Sequence, residues 1–289
     1  MYLEYYRLKE PPFNITPDPR FLFFSEKHRE AFNHLLFGIQ ERKGFILLTG
    51  EVGAGKTTLC RALLEQLGPK FKTALILNPR LSETQLLKAI LAEFGLPIKG
   101  RDRQAYLDTL NKFLLQQVEL GNDVVLVVDE AQNMSFETLE QVRLLSNLET
   151  DKQKLLQTIL MGQPELRDIV NSENLRQLRQ RITVRFHLGP LTIGETAHYI
   201  QHRLTIAGAN GFPNFDATAV RAVHDYSRGI PRLVNAVCDR ALLAGYVRQT
   251  DEITRKVVQD AIRDLEGHES QDKPRFSPLK KIKEWAGRA

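Results

Sequence analysis

One nine-residue stretch has the residue types and spacing that hold a nucleotide phosphate. Residues 50–58 fit the pattern G-x-x-x-x-G-K-[ST] at every fixed position. The glycines let backbone N–H groups turn toward an anion, and a following helix adds partial positive charge. We predict that Lys56 reaches the β- and γ-phosphates and that the Thr57 hydroxyl ligates Mg²⁺. The residues predicted to bind the nucleotide here are Gly50, Glu51, Val52, Gly53, Ala54, Gly55, Lys56, Thr57 and Thr58.

Two adjacent carboxylates, Asp129 and Glu130, follow the apolar run at residues 124–128. An uninterrupted run rich in β-branched residues is typical of a parallel strand buried on both faces. This is the Walker B arrangement, in which Asp129 would hold Mg²⁺ through water and Glu130 would polarise the attacking water. Together with the glycine loop, also called Walker A or P-loop, the two acids predict Mg²⁺-dependent hydrolysis of ATP.

Further polar residues follow the next predicted strand, residues 155–161. Gln163 would lie beside the two acids, where we predict that it senses the γ-phosphate. Arg179 and Arg181 lie just before a fifth predicted strand, residues 183–188. An arginine at this position could act in the active site of a neighbouring subunit. The alternative is that the arginine cluster forms a solvated helix face. Arg181 is the first candidate and Arg179 the second.

Strands and helices alternate around these residues. Apolar runs at residues 45–48 and 73–77 predict two more buried strands, which makes five. Amphipathic patterns predict helices at residues 25–42, 60–67, 82–94, 107–121 and 135–150. We therefore predict an α/β fold, with a parallel five-stranded sheet and flanking helices.

The opening 25 residues combine prolines with aromatic side chains. Because proline fixes φ and removes a donor, we predict extended chain rather than helix in this segment. We expect its rings to pack across the ATPase domain, near the adenine, with ordinary core packing as the alternative.

Beyond Pro190 the strands stop and four helices follow one another. Thr192 with Glu195 forms a capping box for the first helix. Asp216 caps the second, Pro231 opens the third and Thr254 caps the fourth. The sequence thus predicts an ATPase domain at residues 1–190, an all-helical lid at residues 191–266, and a basic tail or linker at residues 267–289.

Composition limits the setting of the protein. The 289 residues carry a net charge of +5, which allows a nucleic-acid or acidic-membrane partner. No apolar run approaches the roughly 20 residues of a membrane span, and the start lacks the basic region of a secretory signal. Cys60 and Cys238 lie far apart without zinc-site spacing. We expect a cytoplasmic protein in a reducing compartment.

Taken together, these motifs resemble those of AAA+ ATPases. Gly229-Ile230-Pro231-Arg232 resembles the second sensor of that family, which implies that Arg232 reaches the γ-phosphate from the lid. Over about residues 1–266 the chain is similar to the ExeA-like ATPases of the general secretion pathway protein A group. The matching stretches are residues 5–13, 16–21, 28–31, 129–132, 162–166 and 178–182.

The resemblance implies an oligomer, as a ring or a filament, with Arg181 entering the neighbour's site. It also implies a role in assembling a secretion or pilus complex, with ATP and Mg²⁺. Secretion members carry a membrane span and a peptidoglycan-binding region that this sequence does not include. We therefore expect a cytoplasmic location, with any hold on the inner membrane made through such a region. Two alternatives stay open: an ATP-dependent DNA-binding regulator of transposition, and a slow nucleotide switch.

Overall fold

Five parallel strands form the central sheet, in the order β2-β3-β4-β1-β5. Their bounds are β1 Phe45–Gly50, β2 Phe71–Ile76, β3 Asp123–Val128, β4 Gln157–Gly162 and β5 Ile182–Leu188. The computed structural model, which describes residues 1–16, 18–98, 102–149 and 153–267, confirms the predicted sheet. Each predicted strand end lies within two residues of the observed one. The predicted tail beyond Gly267 and part of the loop before Asp102 lie outside the described residues.

Helices cover both faces of this sheet. They are α2 Glu26–Gln40, α3 Lys56–Leu67, α4 Glu83–Glu93, α5 Arg103–Glu119, α6 Phe136–Leu145, α7 Glu165–Asn171 and α8 Arg176–Arg181. The short helix α1 Tyr2–Tyr5, at the start of the chain, packs with the lid instead. Successive β3 side chains point to opposite faces, as strand geometry requires. Val125 and Val127 pack with α2 and α3, whereas Leu126 and Val128 pack with α4 to α8. This two-sided burial explains the continuous apolar runs of the central strands β1, β3 and β4.

Helix α6 is shorter than predicted. It ends at Leu145, whereas the sequence predicts a helix at residues 135–150, whose last residue lies outside the described part. The Ser146 hydroxyl donates to the Arg143 carbonyl at 2.6 Å, and turn-type bonds follow in place of helical ones. The apolar residues after Leu145 therefore continue the core through a turn, which the helical pattern alone does not reveal.

The lid follows as α9 Ile193–Ile206, α10 Ala217–Ser227, α11 Pro231–Val247 and α12 Arg255–Leu265. The capping box of Thr192 with Glu195 is present. Thr254 precedes α12 but makes no capping hydrogen bond with its side chain. The strand-free prediction is wrong in detail, because β6 Asn214–Phe215 pairs in parallel with β7 Glu252–Ile253. The lid is thus helical apart from these two paired strands of two residues each.

The opening segment differs most from its prediction. It contains helix α1 and a 3₁₀ turn at Pro19–Phe21, where fully extended chain was predicted. Its buried rings belong to the core of the lid rather than lying across the ATPase domain. Tyr6 donates from its hydroxyl to the Thr250 carbonyl at 3.0 Å, and Phe13 lies edge-on to Phe215. The aromatic pattern predicted burial correctly, but the covering surface comes from residues about 200 positions away.

Phe13→Ala is expected to lower the free energy of unfolding by about 3–5 kcal/mol, because a fully buried ring leaves a cavity. Phe13 is 1% exposed. Urea unfolding measures the change. Phe37→Ala is the matched control, since that ring is 53% exposed and should cost far less. Equal losses in the two variants would show that the opening segment does not contribute to the lid core.

Candidate nucleotide-binding site

A cleft of about 510 Å³ opens where the loop after β1, the opening segment and the lid meet. It lies outside the carboxyl end of the sheet, where α/β folds place their ligands. Six predicted loop residues line it: Val52, Gly53, Gly55, Lys56, Thr57 and Thr58. The other three contribute carbonyl oxygens. Those of Gly50 and Glu51 accept hydrogen bonds from Lys56, and that of Ala54 contacts His28.

Two glycines of the loop have backbone conformations that side chains rarely adopt. Gly53 has φ +80° and Gly55 has φ +97°. A Cβ on Gly53 would lie 2.3 Å from the Cβ of Arg232, and one on Gly55 would lie 3.0 Å from Nε2 of His28. The lid and helix α2 therefore approach the loop backbone directly. Gly55 immediately precedes α3 and leaves the helix N-terminus without a side-chain cap.

Lys56 is 5% exposed and lines the cleft. Its Nζ donates to the Gly50 carbonyl at 2.7 Å and to the Glu51 carbonyl at 3.0 Å. Burial lowers the pKa of Lys56 below its ordinary value, while the charges of Glu130 and Asp129 act to raise it. A buried cation beside a polar cleft suits a site whose ligand carries phosphate charge.

The Thr57 hydroxyl donates to the Oδ2 atom of Asp129 at 2.5 Å. A hydroxyl and a carboxylate are the oxygen ligands that Mg²⁺ prefers, and this ion commonly takes only one or two from the protein. Within the described ranges, no group of three or more His, Cys, Asp or Glu residues could hold a metal ion. The pair fits Mg²⁺ that completes its shell with water and phosphate oxygens.

Glu130 adopts a left-handed backbone conformation with φ +51°. Its Oε2 atom accepts from Nε2 of Gln132 at 2.6 Å and from Nε2 of Gln163 at 3.2 Å. The backbone N–H of Gln163 donates to Oε1 of Gln132 at 3.1 Å. Gln163 thus lies beside the acids, as its position after β4 predicts. The role of Gln132 was missed, although it ends the Asp-Glu-Ala-Gln stretch.

The lid meets the loop at the start of α11. The Arg232 N–H donates to the Gly53 carbonyl at 3.2 Å, and Arg232 lines the cleft. The preceding Gly229 has φ +74°, and a Cβ there would lie 2.0 Å from the Leu191 carbonyl oxygen. A tight glycine turn therefore brings Arg232 to the phosphate loop, in agreement with its predicted neighbourhood.

Arg181 and Arg179 lie away from this cleft. They precede β5, whose opposite end pairs with Gly50 at the loop. Arg181 contacts the Ser146 hydroxyl through Nη1, and Nη1 of the half-buried Arg179 donates to the Asn171 carbonyl at 2.9 Å. Neither arginine reaches the phosphate loop of its own chain, so action in a neighbouring subunit stays a prediction.

Three cleft residues from the lid and one from α2 were missed by sequence reasoning: Tyr199, Arg203, Asn235 and His28. Arg203 donates to the Pro12 carbonyl at 2.5 Å and to the Asn14 carbonyl at 3.1 Å. These bonds hold the opening segment against the cleft, which residues 14–16 of that segment help to line. That the segment lies near the adenine stays a prediction. A helical arginine carries no sequence signal of such a contact.

Comparisons with known proteins agree with this geometry. Residues 39–170 match the family model described as an AAA domain. General secretion pathway protein A of Aeromonas hydrophila is 46% identical over 268 residues, which cover 92% of this chain and 49% of that protein. A probable gluconokinase of Mus musculus is 35% identical over 86 residues, covering 30% of this chain and 44% of the relative. The chain spans about half the length of these curated relatives or less.

Solved structures support the fold. The ORC2 protein of Aeropyrum pernix in ADPNP–ADP complexes superposes with a TM-score of 0.66 at 17% identity, covering 89% of this chain and 72% of that one. The structure of Drosophila ORC bound to DNA superposes with a TM-score of 0.68 at 19% identity, covering 92% of this chain and 66% of that one. The Thermotoga maritima RuvB Holliday junction branch migration motor superposes with a TM-score of 0.55 at 20% identity, covering 82% of this chain and 69% of that one. These likenesses establish the fold alone. Among the helices that the structure describes, none combines the length and the hydrophobicity that a membrane span requires.

Proposed function

We propose that this chain, which has an AAA+ fold and is similar to general secretion pathway protein A, hydrolyses ATP as an Mg²⁺-dependent oligomer. The proposed work is assembly of a secretion or pilus complex of the bacterial envelope, from the cytoplasmic side of the inner membrane. The observation that carries the proposal is the contact of Thr57 with Asp129. It brings the phosphate loop and the Walker B acids to one end of one cleft.

In this proposal, Lys56 and the loop N–H groups bind the phosphates. The Lys56 ammonium is already desolvated, so its attraction to a phosphate is screened less than in water. The uncapped N-terminus of α3 adds backbone N–H groups and the positive end of the helix dipole. Arg232 approaches the same loop from the lid, which supports a second cation near the phosphates.

The hydrolytic step is assigned to Glu130. Thr57 and Asp129 would hold Mg²⁺, which when bound supplies positive charge to the phosphate oxygens. The Glu130 carboxylate would orient a water molecule and accept its proton. Gln132 and Gln163 donate to Oε2 of Glu130 and so fix the direction of that carboxylate. Positioning and charge stabilisation then provide most of the rate gain.

Glu130→Gln is expected to keep ATP affinity and to slow hydrolysis by about 10²- to 10⁴-fold, the usual contribution of a general base. The amide keeps the size of the side chain and leaves Asp129 to hold Mg²⁺. ATP titration and phosphate release on the same preparation measure the two quantities. Glu137→Gln, an acid in the first turn of α6, is the matched control. A parallel loss of affinity and turnover in Glu130→Gln would assign Glu130 to metal binding or structure.

The envelope role is tested in cells of the source organism. Loss of the gene should stop export or pilus assembly, and wild-type protein but not Lys56→Ala protein should restore it. The rival role, regulation of transposition, is supported by no contact described above. Its signature would be ATP-dependent DNA binding with a steep salt dependence. Such binding combined with normal export in the absence of the gene would contradict the proposed role.

A further inference from the structure

His28 lies in the first turn of α2 and is 3% exposed. Its imidazole ring packs directly against the phosphate loop, since a Cβ on Gly55 would lie 3.0 Å from Nε2. Nε2 of His28 lies 3.1 Å from the Ala54 carbonyl oxygen. The side chain lines the nucleotide cleft without belonging to the sequence motifs that define the loop.

The hydrogen bonds of this imidazole place a proton on Nε2. A carbonyl oxygen only accepts, so Nε2 carries the proton and donates to Ala54. In the neutral ring Nδ1 then accepts, and the Ser25 hydroxyl, 2.7 Å away, is its donor. The same hydroxyl oxygen accepts from the backbone N–H of His28 at 3.2 Å. Burial lowers the pKa of His28 below its ordinary value, which also favours the neutral ring.

The Ala54 carbonyl matters because it shares a peptide unit with the Gly55 N–H. In a planar trans peptide the C=O and N–H groups point in opposite directions. A bond from His28 to the carbonyl therefore turns the Gly55 N–H away from the imidazole and leaves it available to an anion. This restraint is needed most at Gly55, whose glycine backbone has the widest conformational choice.

The helix that carries His28 is also held by the lid. The Glu195 carboxylate accepts from the Glu26 backbone N–H at 2.9 Å through Oε1. Its Oε2 atom accepts from the backbone N–H of Thr192 at 2.9 Å. One carboxylate thus joins the first turn of α9 to the first turn of α2. The position of the His28 ring relative to the loop consequently depends on where the lid lies.

We propose that His28 is a positioning residue that holds the phosphate loop in its anion-binding conformation through the Ala54 carbonyl, with Glu195 linking that contact to the lid. The inference rests on the proposed nucleotide binding. It means that a residue outside the loop motif stabilises the conformation of the loop. His28 acts through the backbone and is given no contact with the reacting atoms.

Two amide variants test the hydrogen bond. The amide nitrogen of glutamine reaches about as far as Nε2 of histidine, whereas that of asparagine stops near the place of Nδ1. His28→Gln should therefore retain ADP affinity close to that of the wild type. His28→Asn should bind ADP about fivefold to tenfold more weakly, the effect expected for one lost hydrogen bond to a buried carbonyl. Calorimetric titration with ADP and Mg²⁺ measures both, and ADP avoids interference from hydrolysis.

His34→Asn is the matched control, because His34 lies on the same helix and is exposed. It should leave ADP affinity unchanged. Equal affinity of His28→Asn and the wild type would overturn the inference, and so would an equal loss in the Gln and Asn variants. A folded wild-type protein that does not bind ADP would instead overturn the proposed function, so the two failures are distinguishable.

A measurement on the wild-type protein covers the case in which His28→Asn does not fold. Nitrogen-15 spectra of the imidazoles should show His28 at neutral pH as the neutral ring with its proton on Nε2. Addition of ADP should shift the His28 Nε2–H signal and leave the exposed His34 unchanged. A charged ring, a proton on Nδ1, or a His28 signal that ADP does not move would each contradict the positioning role.

Discussion

Lys56→Ala is expected to lower ATP turnover by about a hundredfold to a thousandfold or more and to weaken ATP binding. Loss of a single donor to developing transition-state charge typically costs that much. The substitution removes the buried cation and leaves the Gly50 and Glu51 carbonyl oxygens without their donor. Phosphate release and ATP titration of the purified variant measure the two effects.

Lys72→Ala is the control for this experiment. Its ammonium is exposed and donates to the Pro69 carbonyl, away from the cleft. We expect near-normal turnover and binding in that variant. Normal turnover in Lys56→Ala would contradict the assignment of residues 50–58 as the phosphate site, whatever the control shows.

Arg181→Ala is expected to reduce turnover by about a thousandfold, the lower range for an arginine that acts in a neighbouring site. The variant should still bind ATP, because its own phosphate loop is unchanged. Mixing it with Lys56→Ala protein tests action between subunits. Each variant alone should be inactive, and the mixture should recover part of the activity, because an intact loop can then face an intact Arg181. Phosphate release over a range of mixing ratios measures the recovery.

Within one chain, Arg181 contacts the Ser146 hydroxyl and the Arg143 carbonyl at the end of α6. Its loss can therefore also affect stability, and ADP affinity of Arg181→Ala serves as the check on folding. Arg179→Ala is the companion variant. Near-normal turnover in Arg181→Ala with a large loss in Arg179→Ala would transfer the role to Arg179. Near-normal turnover in both would place the arginine cluster on a solvated face.

The fold was predictable where the sequence pattern is local and repeated. The three central strands β1, β3 and β4 were predictable as apolar runs, because a parallel strand covered on both faces is apolar along its length. Caps such as Thr192 with Glu195 gave helix starts, because the side chain bonds to a backbone N–H three residues away. The β6–β7 pair was not predictable, since two residues per strand carry no periodicity.

The candidate site divides in the same way. Lys56 and Thr57 were predictable because their motif is contiguous, and the acids because they end a buried strand. His28 and Arg203 act through carbonyl oxygens of distant residues, Ala54 and Pro12. Because every residue has a backbone carbonyl, the sequence does not indicate which side chain will bond to which carbonyl. The aromatic opening segment likewise showed that burial was needed without showing which domain provides it.

Phosphate release by the wild-type chain, measured against protein concentration with Mg²⁺ and with a chelator, tests the central claim most directly. We predict turnover that requires Mg²⁺ and that rises per chain as concentration brings subunits together. Folded protein that binds ATP yet releases no phosphate at any concentration would contradict an ATP-hydrolysing oligomer. Turnover per chain that is independent of both Mg²⁺ and concentration would contradict it equally.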